Sequence, residues 1–293
     1  MDKLNKELIE IKKKLMKLDK QNKNTTLEYK KLQNKLHLFL DSTYDTIPTE
    51  KFIISSFWQD AYQNYTDGGY ITNDPYISEV RFKYEINKLN LILKKHLHTT
   101  NRALDIGCGN GRYTNELAKT FQEVVGLDLS KEQIKRNQSL NTDNNITYLN
   151  ENFISCDTNK LAKFDFIFVG DIFMYTNDND IESVFHSLLT LLNKNGLLIV
   201  RESCFNIGYE NYRSKNYVAY YRNKKYYKSG IFKDTFCKSY RNYGYNLYDL
   251  EKYFSVYPND KNKIKNNIFI LEKIIKKYVN KYTKSSYFFS YKV

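Results

Sequence analysis

Apolar residues open the chain on a helical seam. Leu4, Leu8, Ile11, Leu15 and Leu18 follow one another at steps of four and three, and the register runs on through Asn22, Thr25, Tyr29, Leu32, Leu36 and Phe39. This spacing predicts a coiled-coil arm over residues 1–40 that pairs between chains, with Asn22 and Thr25 as polar layers. The alternative is a helical hairpin broken at 21–26. Asp41 to about Thr49 reads as a linker, because Pro48 ends any helix before it. Linker and helical cap together take residues 41–98. The cap comprises one helix over 52–62, a turn at Asp67-Gly68-Gly69, and a long amphipathic helix starting near Pro75 with Val80, Tyr84, Leu89, Leu91, Ile92 and Leu93.

From residue 99 the pattern changes to short apolar runs alternating with helical periodicity. Strands are predicted near 102–106, 123–128, 146–150, 164–170 and 196–201. Helices are predicted near 111–121, 131–140 and 180–193, the second capped by Ser130 with Gln133 at the capping-box position. Strands alternating with helices imply an α/β domain with a doubly wound, mostly parallel sheet and right-handed crossovers. Two further strands, within 236–248 and at Tyr287–Tyr291, flank an amphipathic helix near 262–281 and bring the sheet to seven strands. This domain takes residues 99–293, of which 206–293 is basic and aromatic.

Composition narrows the class. The chain has 293 residues, 27% charged, with a mean hydropathy of −0.64. No run approaches the roughly 18 apolar residues of a membrane span, and the N-terminus lacks the apolar core of a signal peptide. The four cysteines, at 108, 156, 204 and 237, form neither a metal nor a disulfide pattern. A cytoplasmic protein without a metal is the expectation. The net charge of +13 is uneven: +6 over 1–40, −6 over 41–205 and +13 over 206–293. A basic tail fits a phosphate-bearing or other anionic partner, or it reflects a Lys-rich composition throughout.

The chemistry concentrates in Ala103-Leu104-Asp105-Ile106-Gly107-Cys108-Gly109-Asn110-Gly111-Arg112. Glycines there let the backbone approach a ligand where a Cβ would clash, and the helix that follows directs free N–H groups into the same crevice. Seventeen residues after Gly111, Asp128 ends the next apolar run, placed to accept hydrogen bonds from ribose hydroxyls. The dinucleotide fingerprint fails, because Arg112 stands where its third glycine belongs. Asp-x-Gly-x-Gly-x-Gly followed by Val125-Gly126-Leu127-Asp128 instead resembles the first two motifs of the class I S-adenosylmethionine-dependent methyltransferases. The resemblance is specific over about 100–205, architectural over 206–293 and absent over 1–45.

That resemblance implies a Rossmann-like sheet and S-adenosyl-L-methionine as cofactor, held by Asp105, Gly107, Cys108, Gly109, Gly111, Asp128, Leu129, Asn152, Phe153 and Gly170. Leu129 stacks on the adenine in this reading. Asn152 stands where the family usually has a carboxylate for the adenine amino group. The segment Gly170-Asp171-Ile172-Phe173-Met174-Tyr175 lies where the family lines its methyl-transfer pocket, so Asp171 contacts cofactor or substrate, or caps a turn. Arg201 and Glu202 end the 196–201 strand at that edge, facing substrate or pairing with each other. Candidate catalytic residues are therefore Asp171, Glu202 and Arg201. Trp58, Tyr62 and Arg81 of the cap, with Tyr175, Tyr220 and Arg222, are the candidate substrate contacts, since Tyr and Arg together suit sugars and phosphates. His186 falls off the apolar stripe of its helix and reads as exposed and inert.

The segment after 164–170 lacks the Asn/Asp-Pro-Pro-aromatic and Pro-Cys signatures of base-methylating enzymes. The reading is a methyltransferase acting on O or N of a small molecule, sugar or glycan end, and forming a homo-oligomer through residues 1–40. The alternatives are an RNA methyltransferase using the basic tail, and a non-catalytic oligomeric scaffold that binds the cofactor.

Overall fold

A computed structural model describes residues 75–178, 180–205, 210–213, 218–242 and 284–293, with isolated positions among 10–35, Phe57, Trp58 and Asn259. Helix α1 (Pro75–His96) leads into strand β1 (Arg102–Ile106), and α2 (Arg112–Ala118) into β2 (Glu123–Asp128). Then come α3 (Lys131–Leu140), β3 (Ile146–Asn150), β4 (Phe164–Gly170), α4 (Ile181–Thr190) and β5 (Leu192–Phe205). A separate hairpin, β6 (Glu210–Arg213) and β7 (Val218–Tyr221), precedes the last two strands, β8 (Phe236–Asn242) and β9 (Lys284–Lys292).

The seven-stranded sheet has the order β3-β2-β1-β4-β5-β9-β8. Neighbours among β1 to β5 pair in parallel, and β9 runs antiparallel to both β5 and β8. Strands buried on both faces become near-continuous apolar runs, which is why Phe164-Asp165-Phe166-Ile167-Phe168-Val169 forms the sheet centre. The pleat divides its side chains by alternation. Ile167, Val169, Leu198 and Val200 pack with Val184, Phe185 and Leu188 of α4. Phe166, Phe168, Leu197 and Ile199 pack on the opposite face with Leu89, Ile92 and Leu93 of α1. Lys94, Lys95 and His96 close α1 and suit the negative end of its dipole.

The five expected parallel strands are present, α3 spans the expected 131–140, and α2 and α4 are shorter than their periodicity suggested. α4 stops at Thr190 because Leu192 already pairs with Phe164 at the start of β5. Ser130 accepts the Gln133 N–H at 3.4 Å, but the Gln133 Oε1 is buried and makes no hydrogen bond, so the capping box is half formed. β6 and β7 were not expected as strands. The expected helix near 262–281 and the coiled-coil seam beyond the isolated positions lie outside the described residues. Among those positions Ile11, Leu15 and Leu18 are buried within the single chain, Gln21 is in a turn, and Leu27 is exposed. No helix among the described residues is long and apolar enough to cross a membrane.

Chain direction outward from β1 reverses between β1 and β4, since β2 and β3 lie on one side and β4 and β5 on the other. Such a switch point opens a crevice at the carboxyl ends of the strands.

Candidate functional site

The glycine turn lines that crevice. Gly107 and Cys108 donate their N–H groups to Leu127 O at 2.8 and 3.0 Å, folding the turn over the end of β2. Gly107 and Gly111 are left-handed, at φ 72° and 77°. A Cβ at Gly107 would collide with Ile172 Cδ1, and one at Gly111 would lie 2.6 Å from the Tyr148 hydroxyl. Gly111 caps α2 without a side chain, so the first N–H groups of that helix stay clear of a competing acceptor of its own.

Two acids sit beneath the turn. Asp105 is buried and accepts the Thr114 hydroxyl at 2.6 Å. Burial, with Asp128 adding to it, lifts its carboxyl to about 7 against that hydrogen bond. Asp128 receives the N–H of Gly109 at 2.9 Å and of Ser130 at 2.8 Å. Burial raises its pKa and these two bonds oppose the rise. Asn137 Nδ2 donates to Gly109 O at 2.7 Å, and Asn150 Nδ2 holds Asp128 O and Leu129 O at 3.1 and 3.0 Å. Sequence reasoning did not single out Thr114, Asn137 or Asn150; each acts through a contact across elements.

The other cofactor candidates divide. Leu129 and Gly170 are half-buried at the strand ends, and Cys108 is buried in the turn. Asn152 Oδ1 accepts the Ile154 N–H at 3.1 Å, shaping its own turn. Phe153 is a core residue, packed with Leu127 and Val125.

Asp171 follows β4 in the left-handed region, at φ 55°, a costly conformation for a non-glycine residue. Its N–H donates to Arg201 O at 2.8 Å, and its carboxylate pairs with the Arg201 guanidinium. Arg201 also bonds Glu85 of α1 at 3.0 Å; Glu85 in turn receives Arg81 Nε at 2.9 Å and the Tyr113 hydroxyl. Burial lifts the Asp171 carboxyl to about 7, with Arg81 opposing and Glu85 reinforcing. Glu202, the next residue along β5, faces the other side of the sheet, as the pleat requires. It is buried and accepts the Phe173 N–H at 2.7 Å. Burial and the Asp171 charge hold its pKa well above the usual carboxylate range. Arg201 and Glu202 therefore do not pair with each other.

Among the substrate candidates, Trp58 and Tyr175 meet edge to face with ring centroids 5.3 Å apart. Tyr175 packs against Met174, Ala219 and Tyr221, so the β6–β7 hairpin covers this wall. Arg222 is fully buried. It donates to Phe173 O and Thr176 O, both at 2.7 Å, and to Asp178 at 2.9 and 2.7 Å, with Tyr220 at 5.3 Å from its guanidinium. Arg81 reaches the site through Glu85. Tyr62 lies outside the described residues. His186 is exposed on α4, 3.9 Å from Glu182, and Cys204 and Cys156 pack in the core.

Comparisons with known proteins agree with this geometry. Residues 103–196 match a family model described as a methyltransferase domain. Phosphoethanolamine N-methyltransferase 1 of Triticum aestivum is 33% identical over 140 residues, which cover 47% of this chain and 27% of that protein. The matched segment thus spans about a quarter of the length of such relatives. A Leishmania major S-adenosylmethionine-dependent methyltransferase superposes with a TM-score of 0.54 at 20% identity, covering 65% of this chain and 76% of its own. The N-methyltransferase NodS of Bradyrhizobium japonicum, in complex with S-adenosyl-L-homocysteine, does so with a TM-score of 0.51 at 13% identity, covering 80% and 97%. Both establish likeness of fold.

Proposed function

We propose that this protein, whose residues 103–196 match a methyltransferase-domain model, transfers a methyl group from S-adenosylmethionine to a nitrogen or oxygen of a small molecule, sugar or glycan end. One observation carries the reading: Asp105, the Gly107–Gly111 turn and Asp128 meet at the switch point of the sheet. The Asp128 carboxylate uses two of its roughly four lone-pair sites on backbone N–H groups, so acceptor capacity remains for ribose hydroxyls. Leu129 is the apolar surface beside it for a base.

S-adenosylmethionine bound there supplies an activated methyl group. The chain's own residues orient and shield the acceptor. Asp171 follows β4 beside the glycine turn, and its Oδ1 is buried without a hydrogen-bond partner, an oxygen that an amine or hydroxyl donor would satisfy once the acceptor molecule is seated there. Burial raises the pKa of Asp171, while the ion pair with Arg201 favours its charged form and holds the carboxylate in place beside the acceptor. Trp58 and Tyr175 supply an aromatic wall. The phosphoethanolamine N-methyltransferases among the relatives favour a small, phosphate-bearing acceptor, for which the basic tail is a suitable partner. Action in the cytoplasm completes the proposal; four unpaired thiols fit a reducing compartment.

The test is transfer of labelled methyl from S-adenosylmethionine to a panel of small amines, alcohols and sugars that includes phosphoethanolamine. Acceptor-dependent labelling with equimolar S-adenosylhomocysteine supports the proposal. Cofactor binding without labelling of any acceptor contradicts it.

A further inference from the structure

The segment after β4 is held at Asp171, Phe173 and Thr176 from two directions. Arg201 accepts the Asp171 N–H on its carbonyl at 2.8 Å, and Glu202 accepts the Phe173 N–H at 2.7 Å. From the β6–β7 side, Arg222 donates to Phe173 O and Thr176 O at 2.7 Å each. Phe173 thus has its N–H and its C=O gripped by two fully buried ionisable side chains of different elements. Tyr175, at the end of the same turn, is the ring that Trp58 meets.

We propose that Glu202 and Arg222 are positioning residues: they clamp Phe173 through its N–H and its C=O and thereby fix Tyr175, the ring that Trp58 meets beside Asp171. The inference rests on the functional reading given above. Chemistry explains the choice of side chains. A carboxyl at 202 offers an acceptor to a backbone N–H that the short turn leaves free. At 222 a planar guanidinium satisfies two carbonyls and Asp178 together, which a lysine ammonium cannot do in one plane. Full burial of both side chains gives each bond its weight. Neither residue needs to touch the reacting atoms. The buried position of Arg222 explains why an arginine in an aromatic, basic segment resembles a surface ligand in the sequence yet is turned inward.

Trp58 is the single tryptophan of the chain, so its fluorescence reads the wall directly. The experiment measures acrylamide quenching of the full chain, with S-adenosylhomocysteine affinity by calorimetry and the thermal midpoint as controls. Glu202→Ala and Arg222→Lys are expected to raise the quenching constant about twofold or more well below their midpoints, with affinity for S-adenosylhomocysteine within about threefold of wild type. Glu202→Gln keeps an oxygen for the Phe173 N–H and is expected to quench as wild type does. A role limited to stability lowers the midpoint and leaves quenching of the folded protein unchanged, and that result overturns the proposal. So does Glu202→Gln behaving as Glu202→Ala, or a loss of S-adenosylhomocysteine affinity in step with quenching. Should the buried variants fail to fold, Asp178→Ala, which removes the exposed partner of the Arg222 guanidinium, is expected to raise the quenching constant in the same way, and unchanged quenching in that folded variant overturns the proposal. Absence of S-adenosylhomocysteine binding by wild type would remove the functional reading while quenching still tests the clamp.

Discussion

Arg201 of β5 bonds Glu85 of α1 at 3.0 Å, with side chains only 4% and 5% exposed. These residues are 116 positions apart, and the bond fastens the cap helix to the strand end beside Asp171. Replacing Arg201 by Met leaves the Glu85 and Asp171 carboxylates buried without their shared cation. A buried pair broken on one side costs about 3–5 kcal/mol, and urea unfolding of Arg201→Met is expected to show a loss in that range. A loss below about 1 kcal/mol would mean that Arg81 and water compensate fully.

Gly111→Ala is expected to destabilise the fold and weaken cofactor binding. The left-handed backbone alone costs an alanine about 1–2 kcal/mol. The new methyl also meets the Tyr148 hydroxyl, which donates to Asn115 at 2.9 Å and has to move. Thermal unfolding checks the first effect, and titration with S-adenosylhomocysteine checks the second.

Asp105 gives the ligand-free protein a pH dependence of definite sign. Its carboxyl stands at 3.8 when unfolded and about 7 when folded. Between these values the folded state binds more protons, so this contribution to stability is complete below about 4 and lost as pH rises through 7, by at most roughly 1.4 kcal/mol per pH unit. Asp171 acts in the same direction. Urea midpoints of wild type are expected to fall from pH 5 to pH 8, and to fall less in Asp105→Asn. Equal slopes in the two proteins would contradict this assignment.

What the sequence made legible follows from how local each signal is. The glycine turn and the Asp128 strand end are encoded within a few residues. The central strands announce themselves because burial on both faces demands unbroken apolar runs. The β6–β7 hairpin was not legible, since in a Tyr-rich segment neither alternation nor a turn dipeptide marks it. Glu85 carried one overlooked signal, its i,i+4 spacing from Arg81 on a helix. Its partner Arg201, and the link from Arg222 to Phe173, arise only when distant elements pack. The same packing separates Arg201 from Glu202, neighbours in sequence that serve opposite faces of one strand.

The most direct test of the cofactor crevice is calorimetric titration with S-adenosylhomocysteine of wild type and Asp128→Ala. Wild type is expected to bind, and the variant to lose about 100-fold or more in affinity, because the glycine turn loses the acceptor for Gly109 and the ribose loses its carboxylate. Equal affinity in the two proteins, or no binding by wild type, would contradict the assignment of the crevice.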